Sequence, residues 1–288
     1  MIDWDQEIVQ SIGRRRSVIV VGSGVSRNSV NRDGKRPPTW EGFLRDASNS
    51  LGKPPLIERL IDQRDFLTAC EVVKRQMTAD EFISLVQREY QQAGYQKALI
   101  HEHIYNLDSA IVVSPNFDNI YETYAAGISS GTLVVKDHTS SDIVSYLGGG
   151  EVRLLLKTHG SANNPAQLIF TRKDYAAART KHVLFYEILK SLVLTHTFLF
   201  LGCGIDDPDI RALFEDVQFA HERMPRHYMT MPWGEVDQDI LSIASEAMKV
   251  KFLQYSPDNG HEELTSSLGE LVKVVDAFRD LRAEDRKW

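Results

Sequence analysis

The chain reads as a doubly wound α/β fold: a parallel sheet with helices on both faces, carrying a helical insertion over about residues 39–105. Three observations predict it. Short β-branched or aromatic runs recur between stretches with helical spacing of apolar residues, the alternation that marks successive βαβ units. The first run, Val18, Ile19, Val20 and Val21, is apolar throughout rather than alternating, as a strand buried on both faces must be. Glycine turns close two of the runs, Gly22-Ser23-Gly24 and Gly202-Cys203-Gly204, at the carboxyl ends of strands where open α/β sheets bind their ligands.

Each element has its own warrant. Trp4, Ile8, Val9 and Ile12 share one helical face, and Gly13 followed by Arg14, Arg15 and Arg16 supplies a stop and a favourable charge at the carboxyl end. After the first strand, residues 28–38 are too rich in Arg, Asn and Pro for regular structure and read as a mobile loop over whatever the glycines bind. From Thr39 to Tyr105 nothing reads as a strand. Thr39 caps a helix with Trp40, Phe43, Leu44 and Ala47; a second runs through Leu56, Ile57, Leu60 and Ile61; a third carries Phe66, Ala69, Val72 and Val73. Thr78 and Glu81 form a capping box ahead of Phe82, Leu85 and Val86. These apolar faces are expected to pack on one another and on the sheet edge, with a subunit interface as a further use.

The α/β rhythm then resumes, with strands over 110–114, 133–135 and 152–157 and a helix over 118–126. A brief strand is expected over 168–170, a mostly helical stretch over 174–194, a strand over 198–203 and a helix over 208–220 with Pro208 in its first turn. Strands over 227–231 and 250–255 flank a helix through Ile240 and Ala247, and a final helix starts near His261. No repeat, low-complexity tract or linker divides the chain, so its 288 residues read as a single domain.

Composition narrows the function. Forty acidic against 33 basic residues give a net charge of −7, which argues against a general nucleic-acid surface. Cys70 and Cys203 are the two cysteines and there is no C-x-x-C, so neither a disulfide framework nor a thiolate zinc site is expected. The start is acidic where a signal peptide is basic, and no apolar run reaches membrane-spanning length, which reads as cytoplasmic.

Gly22, Ser23, Gly24 and Ser26 offer free amides and small hydroxyls suited to an anion or nucleotide. Arg27 stands at the third glycine of a dinucleotide fingerprint and the Walker lysine is missing, so neither of those motifs is matched. Three more motifs follow strands: Ser114-Pro115-Asn116-Phe117-Asp118, Lys157-Thr158-His159-Gly160-Ser161, and Gly202 through Asp209. Taken singly, Asn116 and Asp118 are ordinary Asx-turn and cap residues, Asp207 and Asp209 belong to a helix start, and His101 and His103 lack a third ligand. Cys203 reads as a small buried residue.

Together, in this order, the four motifs resemble the Rossmann-like sirtuin superfamily. Its glycine loop appears as Gly22 to Ser26, its Asn-x-Asp element as Asn116-Phe117-Asp118, its His-Gly pair as His159-Gly160, and its late glycine turn as Gly202 to Gly204. The four-cysteine zinc module of protein-deacylating sirtuins is absent between Ser161 and Thr171, Pro115 replaces their usual Gln, and their P-D-F-R segment is missing from 28–38. The chain is in these respects similar to the branch used as effectors in bacterial anti-phage defence. That resemblance implies hydrolysis of NAD+ as substrate, without a metal, to nicotinamide and ADP-ribose. It implies that Asn116 positions a water or the ribose hydroxyls, that His159 acts as general base, and that Asp118 accepts from the nicotinamide amide. Gly22, Ser23, Gly24 and Ser26 would contact the diphosphate, and Gly202 and Gly204 would admit the adenosine ribose. Control by self-association or by a separate partner, such as a HerA-type ATPase or an Argonaute-like protein, is the corresponding expectation. An NAD-dependent deacylase and a non-catalytic NAD- or ADP-ribose-binding subunit are the alternatives.

Overall fold

The computed structural model describes residues 1–148, 152–204 and 224–285. Its strands are β1 (Ser17–Val21), β2 (Ile111–Ser114), β3 (Leu133–Asp137), β4 (Arg153–Lys157), β5 (Thr197–Leu201), β6 (His227–Pro232) and β7 (Val250–Tyr255). They form one sheet in the order β3-β4-β2-β1-β5-β6-β7, and every neighbouring pair is parallel. The doubly wound α/β architecture expected from the sequence is therefore present. The continuously apolar strands β1, β2 and β5 are central and buried at every residue, whereas edge strand β3 has none fully buried.

Strand side chains alternate between two cores, as a period of two requires. Val18, Val20, Ile111, Val113, Phe198 and Phe200 face one of them. It is closed by α10 (Val183–Thr195) and α11 (Gln238–Met248) through Phe185, Leu189, Leu192 and Leu241. Ile19, Val21, Val112, Leu155, Leu199 and Leu201 face the other. There α1 (Gln6–Gly13), α7 (Leu99–Asn106) and α12 (Asp258–Glu284) pack through Ile8, Ile12, Ile100, Ile104, Leu268 and Leu271. Left-handed Asn259, Gly260 and His261 interrupt the opening of α12, so its regular part starts where the sequence placed it.

A third apolar cluster sits over the strand ends. It is built by α3 (Trp40–Ser50), α4 (Pro55–Asp62), α5 (Phe66–Gln76) and α6 (Ala79–Val86), followed by a π-helical turn at Gln87–Gln91. The caps are those expected: the Gly42 amide donates to Thr39 Oγ1 at 3.2 Å, and both arms of the Thr78–Glu81 box are made. Phe43, Phe82, Phe117 and Phe170 meet in this cluster, so the helices stand on the loops that follow β2 and β4 rather than on a sheet edge. Helix α7 falls within the stretch expected to be inserted, yet its apolar face covers the sheet beside α12.

Residues 168–170 are a correction. They form no strand: the Ile169 amide donates to the His159 carbonyl at 3.1 Å and the Phe170 amide to Asp174 Oδ2 at 3.3 Å, which leaves no amide for a ladder. Leu168 and Phe170 are buried in the cluster over the strand ends instead. The stretch expected to be mostly helical splits at His182 into α9 (Arg172–Lys181) and α10. The helix expected over 208–220, with Asp207 and Asp209, lies outside the described residues. Residues 28–38 are irregular, as expected, but tethered: Lys35 pairs with buried Glu89 at 2.7 Å, and the Gln96 amide donates to the Val30 carbonyl at 3.0 Å.

Candidate active site at the sheet switch point

Strand order reverses between β1 and β5, because β2, β4 and β3 lie to one side and β6 and β7 to the other. A cavity of about 420 Å³ opens at the carboxyl ends of these two strands, where a doubly wound sheet leaves a crevice. The loops after β1 and β5 interlock at its base. The Gly22 amide donates to the Leu201 carbonyl and the Gly24 amide to the Gly202 carbonyl, both at 2.9 Å. A Cβ on Gly22 would stand 2.3 Å from the Gly202 oxygen, and one on Gly202 2.5 Å from the Val25 nitrogen. Gly202 also has φ +61, a conformation in which side chains are strained. These glycines thus let two loops touch each other. Gly22, Ser23, Gly202 and Gly204 line the cavity as well, while Gly24 lies against Gly202.

A chain of hydrogen bonds joins β1 to β2. Asn116 Nδ2 donates to Ser26 Oγ at 3.0 Å, and Ser26 Oγ donates to Asp118 Oδ2 at 2.7 Å. Asp118 Oδ1 accepts the Ile120 amide at 3.1 Å, which starts α8 (Ile120–Ile128). The Ser26 proton is therefore committed to Asp118. Sequence reasoning found all three residues but not that they form one relay.

Lys157, the last residue of β4, was quoted in a motif but given no role by the sequence. It is 1% exposed. Its ammonium donates to the Asp118 carbonyl at 2.6 Å and pairs with Glu122 at 2.9 Å, which ties the Asn116–Asp118 loop to the end of β4. Burial pushes the Glu122 carboxyl above its ordinary range although Lys157 stands beside it. Two residues further on, His159 is 5% exposed and lines the cavity. Its Nε2 lies 3.5 Å from Tyr175 Oη on α9, with the two rings edge to face at 5.2 Å.

The helices over the strand ends supply the opposite wall, which the sequence reading did not foresee. Trp40 and Phe66, each the first residue of its helix, meet edge to face at 6.2 Å and line the cavity with Tyr90 of the π-helical turn. Asp65 and Arg172 bridge its rim at 3.3 Å. In the sequence Trp40 and Phe66 show only the helical spacing of core residues, which carries no signal that they face a cavity.

The model of the SIR2-like domain matches residues 110–253, half of the chain. The protein belongs to the SIR2-like family. Asn116, Asp118, His159 and Gly202 fall inside the matched SIR2-like segment, and the β1 loop and α3 to α6 precede it. Among curated proteins, the chain is 23% identical over 226 residues to the NAD(+) hydrolase ThsA of Enterococcus faecium, covering 77% of this chain and 44% of that protein. It is 24% identical over 224 residues to defense-associated sirtuin 2 of Bacillus subtilis, covering 76% of this chain and 21% of that protein. A third match, 29% over 94 residues, is to the NAD(+) hydrolase ThsA of Bacillus cereus strain MSX-D12, covering 32% and 20% of the two chains. The chain thus spans less than half the length of each of these relatives. No helix among the described residues is long and apolar enough to cross a membrane, and none of those residues form a group of three His, Cys, Asp or Glu able to hold a metal.

Proposed function

We propose that this SIR2-like chain is an NAD+ glycohydrolase that cleaves NAD+ to nicotinamide and ADP-ribose, as a cytoplasmic effector depleting NAD+ in bacterial anti-phage defence. The observation that carries the reading is the convergence of the Asn116–Ser26–Asp118 relay and His159 on one cavity at the switch point. Relatives named NAD(+) hydrolase and defense-associated sirtuin support it.

The chemistry needs little more than this cavity offers. Expelling neutral nicotinamide from a cationic N-glycosidic bond leaves oxocarbenium character on the ribose, so the protein must orient the bond, exclude bulk water and supply a nucleophile. Asn116, with Nδ2 held by Ser26, presents a fixed amide to a water or to the ribose hydroxyls. Asp118 holds Ser26 through one oxygen and the α8 start through the other, and it faces the carboxamide end. A neutral His159 takes the proton of the attacking water, directly or through a ribose hydroxyl. Gly22, Ser23, Ser26 and the adjoining Gly24 form the diphosphate side, and Gly202 and Gly204 the adenosine side. Control by self-association or by a separate partner, such as a HerA-type ATPase or an Argonaute-like protein, belongs to the same reading.

The test is incubation of the purified protein with NAD+, following nicotinamide and ADP-ribose by chromatography, alone and with candidate partners. Product from the wild type and none from His159→Ala supports the hydrolase. Release that requires an acetylated peptide would replace it with deacylation, and saturable NAD+ binding without turnover under every condition would make the chain a binding subunit.

A further inference from the structure

We propose that Tyr175 is the positioning residue for His159, and that α5 fixes it in place; the inference rests on the glycohydrolase reading. Both side chains are 5% exposed. Tyr175 Oη lies 3.5 Å from His159 Nε2 and the ring planes meet at 81°. An edge-to-face neighbour restrains rotation of the imidazole, and a hydroxyl opposite Nε2 biases which ring nitrogen carries the proton. A neutral imidazole has one N–H and one bare nitrogen, so a fixed partner at one sets what the other can do. A general base needs both restraints.

Tyr175 belongs to a small apolar cluster with Ile169 and Ala178. Packing there uses the ring but not the hydroxyl, which is directed at His159. The turn that carries it is held with unusual completeness. Thr171 and Asp174 form a capping box at the start of α9, and Asp174 Oδ2 accepts the amides of Phe170 and Thr171 at 3.3 and 3.0 Å. The same oxygen pairs with Lys74 of α5 at 2.8 Å. The Lys173 amide donates to Glu71 Oε1, also on α5, at 3.0 Å. Arg172 meets Asp65, the cap of α5, at 3.3 Å. One helix start thus receives three polar contacts from α5 or its cap, and its fourth residue stands against His159. This gives α5 a polar path to the reacting end of the cavity, beside the aromatic packing of Phe43 and Phe82 of α3 and α6 on Phe170.

Tyr175→Phe keeps the ring and removes the hydroxyl. Among the described residues, the other titratable or charged groups of the cavity wall are Arg64, Asp65, Tyr90, Asp118, Arg172 and Cys203; Tyr175→Phe alters none of them, and a changed pH profile together with displaced His159 signals reports on His159. NMR of isotope-labelled histidine, with the His159 signals identified by their loss in His159→Gln, reads the contact without turnover. The expected results are displaced His159 ring-nitrogen signals, a kcat about tenfold lower with KM within about twofold, the loss of one hydrogen bond to a group acting in the transition state, and a shifted pH profile. Lys74→Ala should move the same signals less, in the same direction. Unmoved signals with unchanged kcat overturn the proposal, as does a kcat loss that merely follows a loss of folded protein at the assay temperature. If wild type released no nicotinamide the hydrolase reading would fall, and the imidazole spectrum would still decide whether Tyr175 sets His159.

Discussion

The two walls of the cavity are held together by opposite means. The strand-end wall buries its polar groups: Lys157 against Glu122, and Ser26 between Asn116 and Asp118. The helical wall buries aromatics and leaves ion pairs such as Arg45 with Glu41, Glu58 and Asp62, or Lys74 with Asp174, partly in solvent, although the Glu89 carboxylate beside Lys35 is buried. Buried polar groups have few acceptable arrangements, so they hold reacting groups in one geometry. Aromatic surface backed by solvated charges tolerates displacement, which suits a wall that must admit and release a substrate.

That contrast predicts where substitutions act and how strongly. His159→Ala and Asn116→Ala should lower nicotinamide release by roughly 10²–10⁴-fold with NAD+ binding retained, since general base and orientation act in the transition state; parallel turnover and binding assays check this, and full activity in either variant would remove that residue from the mechanism. Lys157→Met should cost about 3–5 kcal/mol in urea unfolding because it leaves Glu122 buried without a partner, and Lys157→Met with Glu122→Leu should recover most of it. A single-variant cost below about 1 kcal/mol would mean that the clamp is not tight.

His227, whose Nδ1 accepts the Phe198 amide at 3.1 Å, is a buried polar group at the amino end of β6, away from the cavity, and extends the contrast to pH. Burial lowers its pKa from 6.5 to about 4, so the unfolded chain takes up the proton first on acidification. Stability should be whole above about pH 6.5 and decline as pH falls towards 4, and His227→Asn, which keeps an acceptor for the Phe198 amide, should flatten that slope in thermal melts. On the helical wall, Trp40→Ala should raise KM about three- to tenfold with little change in kcat, the loss of apolar contact made equally in ground and transition states. Smallest of all, Lys74→Ala should change unfolding free energy by less than about 1 kcal/mol, as expected for a pair this exposed.

Much of the strand-end wall was legible in the chain. Runs such as Val18–Val21 and Phe198–Leu201 lie in the observed strands because residues buried on both faces must be continuously apolar, and the turns after them announce the carboxyl edge. The brief strand over 168–170 failed because an apolar triplet shows that it is buried, not against what: its amides are taken by His159 and Asp174. Trp40 and Phe66 read as core aromatics at helical spacing, Tyr175 carries no local signal of its own, and nothing local separates a residue facing a cluster from one facing a cavity.

Local chemistry determined the strands, the caps at Thr39 and Thr78, the glycine turns, and the candidates Asn116, Asp118 and His159, since each depends on neighbours a few residues away. Tertiary structure alone decided that Ser26 joins Asn116 to Asp118, that Lys157 clamps the Asp118 carbonyl, and that helices inserted after β1 roof the cavity and reach His159 through Tyr175. Those contacts join side chains up to 90 or more residues apart in sequence, and the packing of three apolar cores, not any local preference, brings such groups within hydrogen-bond range.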